Sequence, residues 1–231
     1  MFNQIANTHQ KQFFLFKMDG DFKEETTQNT NWCKPVGTVN FVDSSYAPSG
    51  TTFRGNYWAK PLTPESNYLT FNPSLFPKNY GTVEFVCQPS GTAGVKQLGI
   101  SVYNGTRIAE FGKTWVNSQF GATLETWINA WYGAGDTVYY PKRFYFLIFY
   151  SPYKTGNKLY RIEGNNSLTM TAQFSVTPPT QTLPKFGNSL TYSQVFAFKS
   201  FSGGDGNGGV NQYFKISDTY SETPTYSRQD I

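Results

Sequence analysis

Punctuation constrains this chain more than any other feature. Turn-forming residues recur every eight to fifteen positions, and the runs between them are short, aromatic-rich and alternating. Alternation of apolar and polar residues over four to eight positions is the signature of a half-buried strand, and Gly, Pro, Asn and Asp clusters end such runs. The pattern predicts strands near 12–18, 36–42, 52–58, 67–71, 82–88, 96–103, 106–111, 123–131, 143–150, 158–163, 167–176, 190–200 and 211–217. Antiparallel strands in that number fill two sheets packed face to face. A helix competes at one place: Leu124, Trp127, Ile128 and Trp131 fall at i, i+3, i+4 and i+7, while the Thr, Trp and Ile content of the same run suits a strand, so both readings stand. RFYFLIFY at 143–150 does not alternate, which predicts a strand covered on both faces, at the centre of a sandwich or beneath an added loop.

Size and composition agree with one all-β domain. A chain of 231 residues buries roughly 70–75% of its unfolded surface without covalent staples. Aromatics make up 18% of residues and charged residues only 15%, a balance that favours ring packing on strands. The formal charge of +4 is spread along the chain without a block of like charges, which argues against electrostatic capture of nucleic acid or an anionic membrane. Cys33 and Cys87, the only cysteines, define no disulfide framework and are expected as buried thiols. The N-terminus lacks the basic start and apolar stretch of a secretory signal, and no run reaches the 18 or more apolar residues of a membrane helix.

Two stretches carry a family likeness. FFLFKMDGDF at 13–22 is a strand closed by Asp-Gly, and NYLTFNPSLFPKNYGTVEFVCQP at 67–89 is strand, Pro-rich link, strand. The chain resembles the concanavalin A-like lectin and laminin-G-like sandwiches through Leu15, Phe16, Asp19, Gly20, Tyr68, Leu69, Phe71, Pro73, Phe76, Val83, Glu84, Phe85 and Pro89. Phe144 to Tyr150 and Lys158 to Gly164 are similar to a strand pair that the family joins by a short turn, and Tyr213 to Asp218 with Arg228 to Ile231 to its last strand and short terminal extension. The resemblance implies an antiparallel β-sandwich of the concanavalin A-like jelly-roll kind over 12–218, with an N-terminal arm at 1–11 and a C-terminal tail at 219–231. Such ends are natural docking arms.

The residues with chemical potential argue mostly against catalysis. His9 is the only histidine and precedes the first strand, so no imidazole is placed for a Ser-His-Asp or Cys-His device or for a metal. No C-x-x-C spacing exists to suggest zinc. The β-glucan hydrolases of the similar superfamily carry Glu-x-Asp-x-(x)-Glu on one strand, and none of the eight glutamates here makes that spacing with an aspartate. Asp19 and Asp21 flank Gly20 and read as a turn. SGGDGNGGV at 202–210 lacks the Gly-Lys-Ser/Thr ending of a phosphate loop and reads as a solvated connector. No Asp-x-Asn pattern matches the calcium site of legume-type lectins, so neither metal nor cofactor is expected.

Carbohydrate recognition without a metal uses exposed aromatic faces flanked by amides and carboxylates. Trp131, Tyr132 and Asp136, in WYGAGD, have that composition, and Tyr57 with Trp58 forms a second candidate. Ring packing in the core or at an edge is the competing role for each tryptophan. Basic and aromatic residues also mingle at Lys142, Arg143, Tyr145, Lys154, Lys158 and Arg161, but alternation sends neighbours to opposite faces, which suits a solvated strand end better than a nucleic-acid platform.

An aromatic-rich sandwich without a signal or catalytic constellation is expected to be non-enzymatic. Proteins resembling this family are common among bacteriophage structural components. The resemblance therefore implies a virion surface subunit, decorating a capsid or associated with a fibre, assembled in the host cytoplasm. Other virion proteins would be its partners, and host-surface glycans further ones. A free carbohydrate-binding module is the alternative.

Overall fold

A computed structural model describes residues 13–42, 58–61, 67–77, 80–88, 97–104, 106–113, 143–162, 166–176, 194–197 and 210–226. The described residues form thirteen strands: β1 (Phe13–Phe16), β2 (Cys33–Val36), β3 (Val39–Val42), β4 (Trp58–Pro61), β5 (Tyr68–Phe71), β6 (Gly81–Gln88), β7 (Gln97–Asn104), β8 (Thr106–Lys113), β9 (Arg143–Tyr150), β10 (Thr155–Ile162), β11 (Leu168–Val176), β12 (Gln194–Ala197) and β13 (Val210–Ser217). One 3₁₀ turn, Pro73–Leu75, is capped by Asn72, whose side chain accepts from the Ser74 amide.

The strands form the antiparallel two-sheet sandwich that the alternation predicts. The eight-stranded sheet runs β11-β10-β9-β6-β13-β4-β3 with β1 also paired to β13, and the five-stranded sheet runs β2-β5-β12-β7-β8. β9 and β10 make the expected strand pair, closed by a turn in which the Ser151 amide donates to the Lys154 carbonyl at 2.7 Å. Several boundaries differ from the sequence reading; β10, for one, begins at Thr155 and not at 158. The run expected at 36–42 divides into β2 and β3 at Gly37, which has φ 68°, a conformation that strains any residue with a Cβ. The strand expected at 52–58 appears as β4 from Trp58, with 43–57 outside the described residues. The ambiguous 121–131 run also lies outside them.

Alternation distributes rings between two faces of the large sheet. Cross-strand neighbours share a face, so the register row Leu159–Phe146–Phe85–Phe214–Phe16 points one way. All five are buried and face the smaller sheet. Phe85 stacks on Phe146 with centroids 4.7 Å apart, and Phe71 of β5 reaches across the sandwich to Phe214 at 5.0 Å and Phe16 at 5.4 Å. This is the inter-sheet core. The next row, Lys158–Leu147–Glu84–Lys215–Leu15, points to the outer face.

Gly81 opens β6 because nothing larger fits. A Cβ there would lie 2.6 Å from Pro77 Cγ, 2.6 Å from Tyr150 Oη and 2.7 Å from the Ser217 carbonyl oxygen. The Tyr150 hydroxyl is itself tied to the Pro77 carbonyl at 2.6 Å, so it cannot simply swing aside. Gly81→Ala is expected to lower the unfolding free energy by about 1–3 kcal/mol through overpacking, measured by urea denaturation. An unchanged midpoint would mean that the link at 77–80 yields freely.

Two sheet ends carry interruptions. β2 is a five-stranded-sheet edge with Pro35 in it, and Lys34, Pro35 and Val36 are exposed. In β11, the other sheet's edge, the ladder jumps from Leu159↔Ala172 to Tyr160↔Met170, leaving Thr171 as an extra residue.

Candidate functional site

The sequence candidates first. Trp131, Tyr132, Asp136 and Tyr57 lie outside the described residues. Trp58 begins β4, in register with Val42 of β3. Among the described residues the best-defined polar site lies elsewhere, on the outer face of the eight-stranded sheet.

There a strap formed by residues 218–226 crosses the strands. After β13 the chain turns, with the Thr219 amide donating to Ser217 Oγ at 3.2 Å, and then runs over the sheet. Its underside meets a cluster of Val86, Tyr145, Leu147, Phe149, Tyr160, Ile162 and Tyr213, against which Tyr220 and Tyr226 pack. Tyr220 lies edge-on to Phe149 at 5.8 Å, and Tyr226 is tilted over Tyr145 at 5.1 Å. The strap supplies the second cover that the aromatic and aliphatic run from Tyr145 to Tyr150 in β9 requires: every one of these side chains is buried.

Polar anchors fix the strap at three points. At the first, the Lys154 ammonium donates to both Glu222 carboxylate oxygens at 2.7 Å, the Tyr220 hydroxyl donates to Oε1 at 2.6 Å, and Lys158 donates to the Glu222 carbonyl at 2.6 Å. Lys154 and the Tyr220 hydroxyl together hold the Glu222 carboxyl below its ordinary value. At the second, Glu84 is completely buried in the middle of β6. Its Oε1 accepts from the Tyr145 hydroxyl at 2.6 Å and from the Thr225 amide at 2.7 Å, and its Oε2 accepts from the Thr225 hydroxyl at 2.5 Å. Lys215, directly opposite Glu84 in the ladder, donates to the Thr225 carbonyl at 3.1 Å and hydroxyl at 2.8 Å and lies over the Phe13 ring at 5.1 Å. Burial, and after it the neighbouring Glu84 charge, pushes the Tyr145 phenol well above its ordinary value, so it remains a donor. A third tie joins the Tyr226 hydroxyl to the Asn166 carbonyl at 3.1 Å.

Lys154 and Lys158 of the basic–aromatic run are thus committed to the strap, Tyr145 lies beneath it, and Lys142 lies outside the described residues. Glu84 entered the sequence reading only as part of a family motif. A signal for its role was present: Glu84 and Thr82 put polar atoms on the outer face of β6 beside the large side chains of Tyr145, Leu147 and Phe149 on β9. Such a pair of strands needs a cover with both rings and donors.

The other buried carboxylate among the described residues, Glu24, organises a turn. It accepts from the Leu15 amide at 3.1 Å, the Thr26 amide at 3.1 Å, the Thr27 amide at 2.7 Å and both threonine hydroxyls at 2.8 Å. Burial raises its pKa, and these donors more than offset it, leaving the group below its ordinary 4.5. A group with a depressed folded pKa contributes stability at pH above its unfolded value and loses it as pH falls through the folded value. Glu24 and Glu222 share this sign, so the melting temperature is expected to drop on acidification below about 4.5, and Glu24→Gln to flatten that drop. An acid limb identical in Glu24→Gln would remove Glu24 from the account.

Cys33 is buried with a free thiol, pushed upward in pKa by burial alone, and has no nucleophilic character. Among the described residues, no group of three His, Cys, Asp or Glu could hold a metal ion, and no helix is long and apolar enough to cross a membrane.

No protein-family model and no curated protein sequence matches the chain. Solved structures do. The chain is similar to domain 4 of AbnA, an extracellular GH43 arabinanase from Geobacillus stearothermophilus solved in complex with arabinotriose, with a TM-score of 0.51 and 9% identity over 95% of this chain and 97% of that one. It also matches peanut lectin with a bound 9-residue peptide, with a TM-score of 0.44 and 10% identity over 92% of this chain and 99% of that one. The match to the arabinanase domain accords with the two-sheet antiparallel β-sandwich that the ladders define.

Proposed function

We propose that this protein is a non-enzymatic carbohydrate-binding sandwich. The supporting observation is the match of nearly the whole chain to nearly the whole of an arabinanase domain that was solved holding arabinotriose. The disposition of the described buried carboxylates supports the non-catalytic part. Glu84 and Glu24 each spend both oxygens on structural donors, and Glu222 closes an ion pair with Lys154. Retaining and inverting glycosidases instead present two carboxyl groups across an open cleft.

In this reading Trp131 and Tyr132 supply the stacking faces and Asp136 a hydrogen-bonding carboxylate, with Tyr57 and Trp58 as a second platform. A glycan array that includes arabinan oligosaccharides, followed by calorimetry on hits, tests it. Trp131→Ala is expected to weaken binding about tenfold, the worth of one aromatic stack, without a change in melting temperature. A fall in stability with unaltered affinity would assign Trp131 to packing. A virion-surface location, with capsid or fibre subunits as partners, adds a place of work to the same chemistry. It rests on the family resemblance, and mass spectrometry of complexes that contain the chain tests it.

A further inference from the structure

We propose that the groove on the outer face of the eight-stranded sheet is a docking site for the C-terminal segment of a second copy of this chain, so that copies can exchange straps. The proposal does not depend on carbohydrate binding.

Three observations carry it. The strap forms no rung of either sheet, so its departure breaks no ladder hydrogen bond. The groove it fills cannot stay empty. Tyr145, Leu147 and Phe149 are at most 1% exposed, and baring them would open a contiguous apolar patch of the kind that associates. Finally, the groove is specific for this peptide. Lys154 and Lys158 take Glu222, Glu84 and Lys215 take the amide, hydroxyl and carbonyl of Thr225, and the rings of Phe149 and Tyr145 take Tyr220 and Tyr226. Whatever replaces a lifted strap must offer an acid, a two-donor residue and two aromatic rings at the same spacing. A second copy offers them by identity, and an identical element that swaps sites meets the same contacts in the partner as at home. What opposes exchange is effective concentration, because a tethered strap competes with a free one.

Reversing one ion pair removes that handicap. In Lys154→Glu the chain's own Glu222 faces a like charge, and in Glu222→Lys its own Lys154 does. Mixed, each strap finds an opposite charge only on the other protein. The side chains of this pair are each 34% exposed, so either substitution leaves the sandwich folded. The two full-length variants are incubated together at equal concentration, and species are counted by native mass spectrometry and sedimentation.

The heterodimer is expected to exceed either homodimer by roughly tenfold, the size of two modest charge reversals, and to weaken with salt. The double variant Lys154→Glu/Glu222→Lys restores the pair within one chain and is expected to abolish the preference. A mixture that stays monomeric, or dimers in statistical proportion, overturns the proposal. So does a heterodimer that persists after Tyr226→Ala and Thr225→Ala remove the other strap anchors. Because the readout is association between copies, its failure leaves the glycan reading intact, and a blank glycan array leaves exchange intact.

Discussion

Phe85→Ala is expected to lower the unfolding free energy by about 3–5 kcal/mol, measured by denaturant titration with an unchanged slope. Phe85 sits on β6 with its ring completely buried, stacked on Phe146 at 4.7 Å and on Phe214 at 5.6 Å. Phe214 in turn touches Phe71 of the opposite sheet. Truncation removes the transfer free energy of one ring and leaves a cavity flanked by two other rings whose backbones are pinned in ladders. Close packing on both sides limits collapse, which places the cost in the upper part of the range seen for buried aromatics. A loss below about 1 kcal/mol would show that the inter-sheet core relaxes around the hole.

Glu84→Ala is the second large effect. It removes a buried acceptor from three donors: the Tyr145 hydroxyl, which is buried, and the Thr225 amide and hydroxyl, which belong to the strap. An orphaned buried hydroxyl costs about 1–3 kcal/mol, and the vacated volume adds to it, so a total of about 2–4 kcal/mol is expected. The distinguishing readout is local. Hydrogen exchange should accelerate at Thr225 and around Tyr226, while amides of β5 and β12 in the other sheet keep their protection. Uniform acceleration across both sheets would mean that Glu84 supports the whole sandwich and not the strap. Glu84→Gln keeps one acceptor and the shape, and is expected to fall between the two.

The architecture was legible because one signal, strand alternation, recurs along the chain. TVEF at 82–85 and FKIS at 214–217 each alternate, and the ladder pairs Phe85 with Phe214 and Glu84 with Lys215 on opposite faces. Asp19-Gly20 read as a strand-ending turn, and Gly20 adopts φ 87° there. RFYFLIFY was legible as doubly covered, though what covers it was not. The strap has the sequence DTYSETPTY, with neither alternation nor helical period, and its ties to Lys154, Glu84 and Asn166 span 60 to 141 residues. Local periodicity carries no information about such long-range side-chain pairs. Gly37 escaped for the opposite reason: it interrupts a run whose flanks both favour strand, so the division into β2 and β3 depends on a left-handed residue that alternation ignores. The aromatic sugar-binding candidates rest on composition alone, because WYGAGD offers rings and a carboxylate but no period to aim them.

Pro35 and the extra Thr171 have a joint consequence for how the protein behaves when crowded. A proline offers no N–H to an incoming strand, and a bulge bends the margin where it occurs. At β2 and β11 the molecule therefore presents poor templates for cross-β growth, and seeding with preformed fibrils of other β-proteins should find no purchase at these two margins.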